Sequence, residues 1–128
     1  MAEEMQMYKC SICGNLVSVV EAGDGELVCC GKKMDKLNEK TSREEKAEKH
    51  VPVIVIEHDH VIVKVGSVDH PMDNDHFIEL IQLFDGDGNI HGKRLKPGDK
   101  PHARFHIDNK TNLRARALCN IHGIWKSD

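Results

Sequence analysis

The stretch Val51-Pro52-Val53-Ile54-Val55-Ile56-Glu57-His58-Asp59-His60-Val61-Ile62-Val63-Lys64-Val65-Gly66 decides the fold class. Two runs dense in β-branched residues, Val51–Glu57 and His60–Gly66, flank a polar point at Asp59. That is the pattern of two short strands joined by a tight turn. Downstream the same grammar repeats. Phe77–Phe84 (FIELIQLF) is apolar at positions that also suit a three-residue period, but its shortness and its β neighbours favour a strand. Asp85-Gly86-Asp87-Gly88-Asn89 is a hairpin signal, and Ile90–Leu95 reads as the returning strand. Lys96-Pro97-Gly98-Asp99 is another turn. Pro101–Ile107 alternates, with Ala103, Phe105 and Ile107 on one face and His102, Arg104 and His106 on the other. Leu113–Cys119 alternates too, with Leu113, Ala115, Ala117 and Cys119 directed inward. Short strands punctuated by turns at intervals of about ten residues predict an all-β chain whose larger part is an antiparallel β-sandwich.

Upstream of this block the character changes. Residues 1–36 hold four of the five cysteines, Cys10, Cys13, Cys29 and Cys30, among turn-forming Gly14, Gly23, Gly25 and Gly31. The apolar stretches there, Leu16–Val20 and Leu27–Val28, suggest short strands. So small a module buries too little apolar surface to stand unaided, and a metal would supply the deficit. Residues 37–49 form a second zone in which eight of thirteen residues are charged, read as a solvated linker with at most a helical turn and a Glu45–Lys49 pair at helical spacing. Residues 50–128 are the sandwich.

Composition narrows the function. The chain has 128 residues, 39% hydrophobic and 30% charged, which suits a globular protein. A net charge of −3 gives no reason to expect nucleic acid or an anionic membrane as partner. No apolar run approaches the roughly 20 residues of a membrane span. The mixed, acidic start of the chain does not look like a secretory leader, so a cytoplasmic location is expected. Against only five aromatic residues stand nine histidines and five cysteines. An odd cysteine count in such a chain points to metal or redox chemistry rather than a disulfide framework.

Cys10-x-x-Cys13 sets two thiolates on one turn, and Cys29-Cys30 supplies a second pair. Four thiolates suit tetrahedral zinc or iron; spacing alone favours a zinc staple, with a one-iron electron-transfer centre and a strained Cys29–Cys30 disulfide as alternatives. In the sandwich, Cys119-x-x-His122, the pair His70 and His76 around a polar loop, and His50 at the head of the first strand fall at strand ends, where binding residues concentrate. His58 with His60, His102 with His106, and the isolated His91 read as surface histidines. Spacing alone leaves open which histidines share a ligand set.

In order along the chain stand Glu48-Lys49-His50-Val51-Pro52, His70-Pro71-Met72, His76-x-Ile78-Glu79, Leu95-Lys96-Pro97-Gly98 and Cys119-Asn120-x-His122-Gly123-x-Trp125-Lys126. This series resembles superoxide reductase. With the four-cysteine module in front, nearly the whole chain resembles the two-iron form of that family, desulfoferrodoxin, and residues 1–36 are similar to desulforedoxin. The resemblance implies a seven-stranded immunoglobulin-like sandwich. It implies one iron held by His50, His70, His76 and His122 in a plane with Cys119 axial, and a second iron, in place of the zinc that spacing favours, in the Cys10/Cys13/Cys29/Cys30 site. It implies a homodimer and the one-electron reduction of superoxide to hydrogen peroxide. Re-reduction requires a donor, expected to be a rubredoxin-like carrier, with the four-cysteine iron as a candidate relay.

Glu48 and Lys49 match the family's mobile loop over the site. An ammonium at Lys49 would draw in a small anion and help deliver a proton, and an ionised Glu48 would close the sixth position on the oxidised iron. Four neutral imidazoles and one thiolate leave ferrous iron with about one net positive charge, suited to an anionic substrate. Two positions depart from the family pattern: Phe77 and Leu80 stand where Tyr and Trp are common, and Lys33 where Pro is usual. The rival readings are a non-catalytic iron electron carrier, a zinc-stapled binding module, and, fitting an axial thiolate poorly, a zinc hydrolase.

Overall fold

The computed structural model describes residues 5–128. The chain divides into two compact units, the first ending at Asn38 and the second running Glu39–Asp128.

In the first unit β1 (Met7–Lys9) is the centre of a three-stranded antiparallel sheet, flanked by β2 (Leu16–Ser18) and β5 (Asp35–Lys36). A two-stranded hairpin joins β3 (Val28–Cys29) to β4 (Lys32–Lys33). Strands of two or three residues hold little core: Tyr8, Cys10 and Met34 are buried, with Val19, Leu27 and Cys29 against them. The turn between β3 and β4 has positive φ at both central residues, Cys30 at 54° and Gly31 at 72°. That is the primed hairpin turn whose twist matches its strands, and it carries Cys30 to the tip.

The second unit opens with one helical turn, α1 (Ala47–His50), followed by seven strands. These are β6 (Pro52–Ile56), β7 (Val61–Val65), β8 (Ile78–Phe84), β9 (Ile90–Arg94), β10 (His102–Phe105), β11 (Arg114–Cys119) and β12 (Gly123–Lys126). They form an immunoglobulin-like sandwich: one sheet runs β10-β7-β6, the other β12-β11-β8-β9, all neighbours antiparallel. The core lies between them. Val61, Val63, Val65, Ala103 and Phe105 face it from one sheet, and Ile78, Ile81, Leu83, Ala115, Ala117 and Cys119 from the other. Each fully buried Val, Ile or Leu contributes about 1.5–3 kcal/mol.

Where residue pattern and structure differ, the reason is local. β12 is too short and mixed to register as a strand, and it exists because it pairs with β11. That pairing makes β11 an interior strand, so Arg116 and Leu118 are buried as well as the inward-facing set. Arg116 is accommodated by Gln82 Oε1, which accepts from its Nη2 at 2.6 Å, and by Glu39 at 3.6 Å. The Glu45–Lys49 pair does not share a helix: α1 begins at Ala47, after Lys46 with φ 67°. The mixed periodicity of Ile78–Phe84 comes from a β-bulge. Leu118 pairs with Leu80 but Cys119 pairs with Ile78, so Glu79 is the extra residue. The bulge brings Ile78 onto the same buried face as Ile81.

Two candidate metal centres

The structure brings each sequence-predicted ligand set together. In the first unit the sulfurs of Cys10, Cys13, Cys29 and Cys30 all lie within 4.8 Å of one another. Cys13 Sγ is 3.6 Å from Cys29 Sγ, which is 4.0 Å from Cys30 Sγ, and all four are free thiols rather than disulfides. The Cys10–Cys13 turn closes with Gly14 N–H donating to the Cys10 carbonyl at 3.0 Å, and Gly14 takes φ 82°. Backbone N–H groups of Cys13 and Ile12 beside Cys10 hold its thiol down to about 6. Cys29 and Cys30 are pushed the other way, and hydrogen bonding with Cys13, Cys29 and Cys10 drives Cys30 up to about 12. Four thiols so close cannot all ionise without a cation, and a soft divalent metal resolves the conflict.

In the second unit the four imidazoles form a closed ring. His50–His70, His70–His76, His76–His122 and His122–His50 have centroids 4.5, 4.7, 5.0 and 4.8 Å apart, each pair edge-on or nearly so. The diagonal His50–His76 distance is 6.3 Å. Ligand atoms of His50, His76, Cys119 and His122 lie within 4.8 Å of one another, and His70 Nε2 joins them at 3.1 Å from His50 Nε2. Four pieces of chain supply the set. His50 ends α1, His70 and His76 bracket the loop between β7 and β8, and Cys119 ends β11. His122 lies on the turn into β12.

The tautomers follow from the second partners. His50 Nδ1–H donates to the Lys46 carbonyl at 2.8 Å and His70 Nδ1–H to the Pro71 carbonyl at 2.6 Å. Both Nε2 atoms therefore carry lone pairs, yet they face each other at 3.1 Å. His76 Nε2 is buried with no hydrogen-bond partner among the described residues. Burial also pushes His50 below its ordinary value and His70 down to about 4, so both are neutral near pH 7. Facing lone pairs, an orphaned ring nitrogen and a buried Cys119 thiol fit one cation with imidazole and thiolate ligands, as second partners on ligand imidazoles commonly do.

Supporting residues that the pattern of the chain did not assign also emerge. Asn120 Oδ1 accepts from Phe77 N–H at 2.9 Å and its Nδ2 donates to the Asp75 carbonyl at 3.1 Å, clamping the backbone on both sides of His76. Trp125 packs on His50, and Lys40 Nζ sits 5.4 Å above the indole. Glu48 and Lys49 lie on α1 with exposed side chains. The ammonium that meets the cluster belongs to Lys46, 3.3 Å from His122 Nε2. No signal in the sequence marks it, because its reach depends on the left-handed backbone at Lys46, φ 67°. The remaining histidines lie apart from the ring: His60 pairs with Asp59, His91 with Asp85 and His102 with Asp69.

The model of the desulfoferrodoxin family matches residues 42–128, and that of the desulfoferrodoxin N-terminal domain matches residues 2–37. A desulfoferrodoxin homolog of Archaeoglobus fulgidus is 56% identical over 127 residues, 99% of each chain. Desulforedoxin of Megalodesulfovibrio gigas is 56% identical over 36 residues, 28% of this chain and 97% of its own. Among solved structures, superoxide reductase from Treponema pallidum aligns over 100% of both chains at 25% identity, with a TM-score of 0.76.

Proposed function

The chain belongs to the desulfoferrodoxin family, and we infer from this, together with the ring of four histidines closed by Cys119, that it is a superoxide reductase. It carries two irons, one in the four-cysteine site and one in the histidine–cysteine site. We assign His50, His70, His76 and His122 with Cys119 as ligands of the second, and Cys10, Cys13, Cys29 and Cys30 as ligands of the first. The observation that carries the reading is the orphaned, buried Nε2 of His76 aimed among its neighbours. Bound iron supplies the single electron that, with two protons, turns superoxide into hydrogen peroxide.

The residues of the chain do the rest. The lone pairs of His50 and His70 are directed inward by their carbonyl partners, so the site is preorganised. Neutral imidazoles leave the centre cationic toward an anionic substrate. Lys49, next to His50, is assigned to raise the local concentration of superoxide and to hold a proton-bearing water at its Nζ. Glu48 is assigned to cover the open side of the site when superoxide is absent.

We further propose a homodimer built through the first unit, a rubredoxin-like electron donor and a cytoplasmic location. Exposed Ile12, Leu16, Val17, Val20 and Val28 in a unit of 38 residues support the dimer. Five free cysteines suit a reducing compartment. No helix among the described residues is long and apolar enough to cross a membrane. The test is stoichiometry. Iron-loaded protein kept reduced by rubredoxin should yield one hydrogen peroxide per superoxide consumed. One peroxide per two superoxides would mark a dismutase, and no consumption would end the assignment.

A further inference from the structure

Lys46 touches two of the four ring histidines at once. Its carbonyl accepts from His50 Nδ1–H at 2.8 Å, and its ammonium lies 3.3 Å from His122 Nε2. It does so from the left-handed region, φ 67°, at the residue just before α1. Such a backbone is uncommon for a lysine and holds only where its surroundings enforce it.

The ammonium is a donor only, so its contact requires His122 Nε2 to accept. The ring proton then sits on Nδ1, which donates to His50 Nε2 at 3.1 Å. A cation on His122 Nδ1 displaces that proton. The neutral ring then carries it on Nε2, where it faces the ammonium donor to donor. No net proton is gained or lost, but the Lys46 contact and a cation on Nδ1 exclude each other.

We propose that Lys46 is a metal-gated anion guide: occupation of His122 Nδ1 turns its ammonium off the ring and into solvent beside the centre, where with Lys49 it draws in small anions. This rests on the reading of His122 as a ligand through Nδ1. The carbonyl of Lys46 stays on His50, so the freed charge remains tethered to the loop bordering the site. Arg43, Glu44, Glu45, Glu48 and Lys49 are the other charged groups on this loop, and Lys40 also acts on His122 through its charge; the contact at His122 Nε2 is made by Lys46.

Two measurements test it, one of them independent of turnover. In protein with 15N-labelled histidine and lysine, zinc serves as a diamagnetic probe. Zinc should move His122 Nδ1 to a metal-bound shift, transfer the ring proton to Nε2 and shift Lys46 Nζ to that of a solvated ammonium. An unmoved Lys46 Nζ with a metal-bound His122 Nδ1 overturns the proposal and leaves the ligand assignment standing. An unmoved His122 Nδ1 in zinc-loaded protein overturns both. In the iron-loaded protein, azide affinity read from its visible band should weaken about threefold in Lys46→Ala at low salt, the effect of one unit charge some 7 Å away in a water-like medium. The gap should close at high salt, and Lys46→Arg should retain wild-type affinity. Equal azide affinity in Lys46→Ala and wild type at low salt refutes the guide.

Discussion

The indole of Trp125 stacks on the imidazole of His50, centroids 4.6 Å apart and planes inclined by 22°. The same indole donates its Nε1–H to the His122 carbonyl at 3.1 Å. One side chain, 2% exposed, thus fixes the plane of one ring histidine and the backbone of another. Trp125→Ala should cost about 3–5 kcal/mol in stability and also weaken iron binding at the histidine site. Trp125→Phe should recover most of the stability but less of the iron affinity, since it keeps a ring and loses the donor. Denaturant titration and iron content after dialysis against a chelator separate the two.

Gly66 carries the loop's weight from below. Its φ is 81°, and a Cβ there would lie 2.6 Å from Lys49 Cα. The next residues hold the same backbone: Ser67 Oγ–H and Val68 N–H both donate to the Glu48 carbonyl, at 3.2 and 3.0 Å. Gly66→Ala should therefore displace the segment bearing Glu48 and Lys49, at a cost of about 1–3 kcal/mol. The second-order rate with superoxide should fall, while the visible spectrum of the four-cysteine iron stays unchanged. A wild-type rate in a folded Gly66→Ala protein contradicts the coupling.

Cys119 is 1% exposed and sits at the end of β11, with its Sγ accepting from His122 N–H at 3.4 Å. Replacing it with Ser keeps the size and removes the soft, readily ionised donor. Reductase turnover should drop by at least about 100-fold, exceeding what loss of an outer partner causes. The check is pulse-generated superoxide decay, with iron content measured alongside.

Asp85 anchors the β8–β9 turn. Its Oδ1 accepts from the backbone of Asp87 and Asn89 at 2.9 and 3.0 Å, and its Oδ2 meets His91 Nε2 at 2.9 Å. His91 and these N–H groups hold its carboxyl down to about 2 from an ordinary 3.8. A folded value below the unfolded one means that the carboxylate's stabilisation is fully present above about pH 4. It is lost as pH falls toward 2. Asp85→Asn should lower the melting temperature at pH 7 and flatten the acid limb of the melting curve between pH 4 and 2. An acid limb of unchanged steepness in the variant would contradict this.

Much of this was legible in the residues. The alternation of Ala103, Phe105 and Ile107 reports buried positions because β10 is half-covered, and each of the three is buried. The Cys10-x-x-Cys13 and Cys29-Cys30 pairs are local, so their convergence needed only turn chemistry. The histidine ring was different. His50, His70, His76 and His122 are separated by up to 72 residues, and only their order along the chain, matched to a known family, selected them from nine. Lys46 was invisible because its role depends on a left-handed backbone that composition does not announce. The apparent three-residue period of Ile78 and Ile81 was legible but ambiguous, since a bulge imitates one step of helical spacing.

That extra residue in β8 also restricts how the chain can change length. Loops such as the one between β8 and β9 can gain or lose residues with their strands still in step. Removing Glu79 alone would restore an even ladder and shift the loop that carries His76, two residues before β8, by one position against Cys119. The histidine–cysteine centre is therefore sensitive to length at this point: a residue gained or lost between His76 and Ile81 moves one ligand-bearing segment against the other.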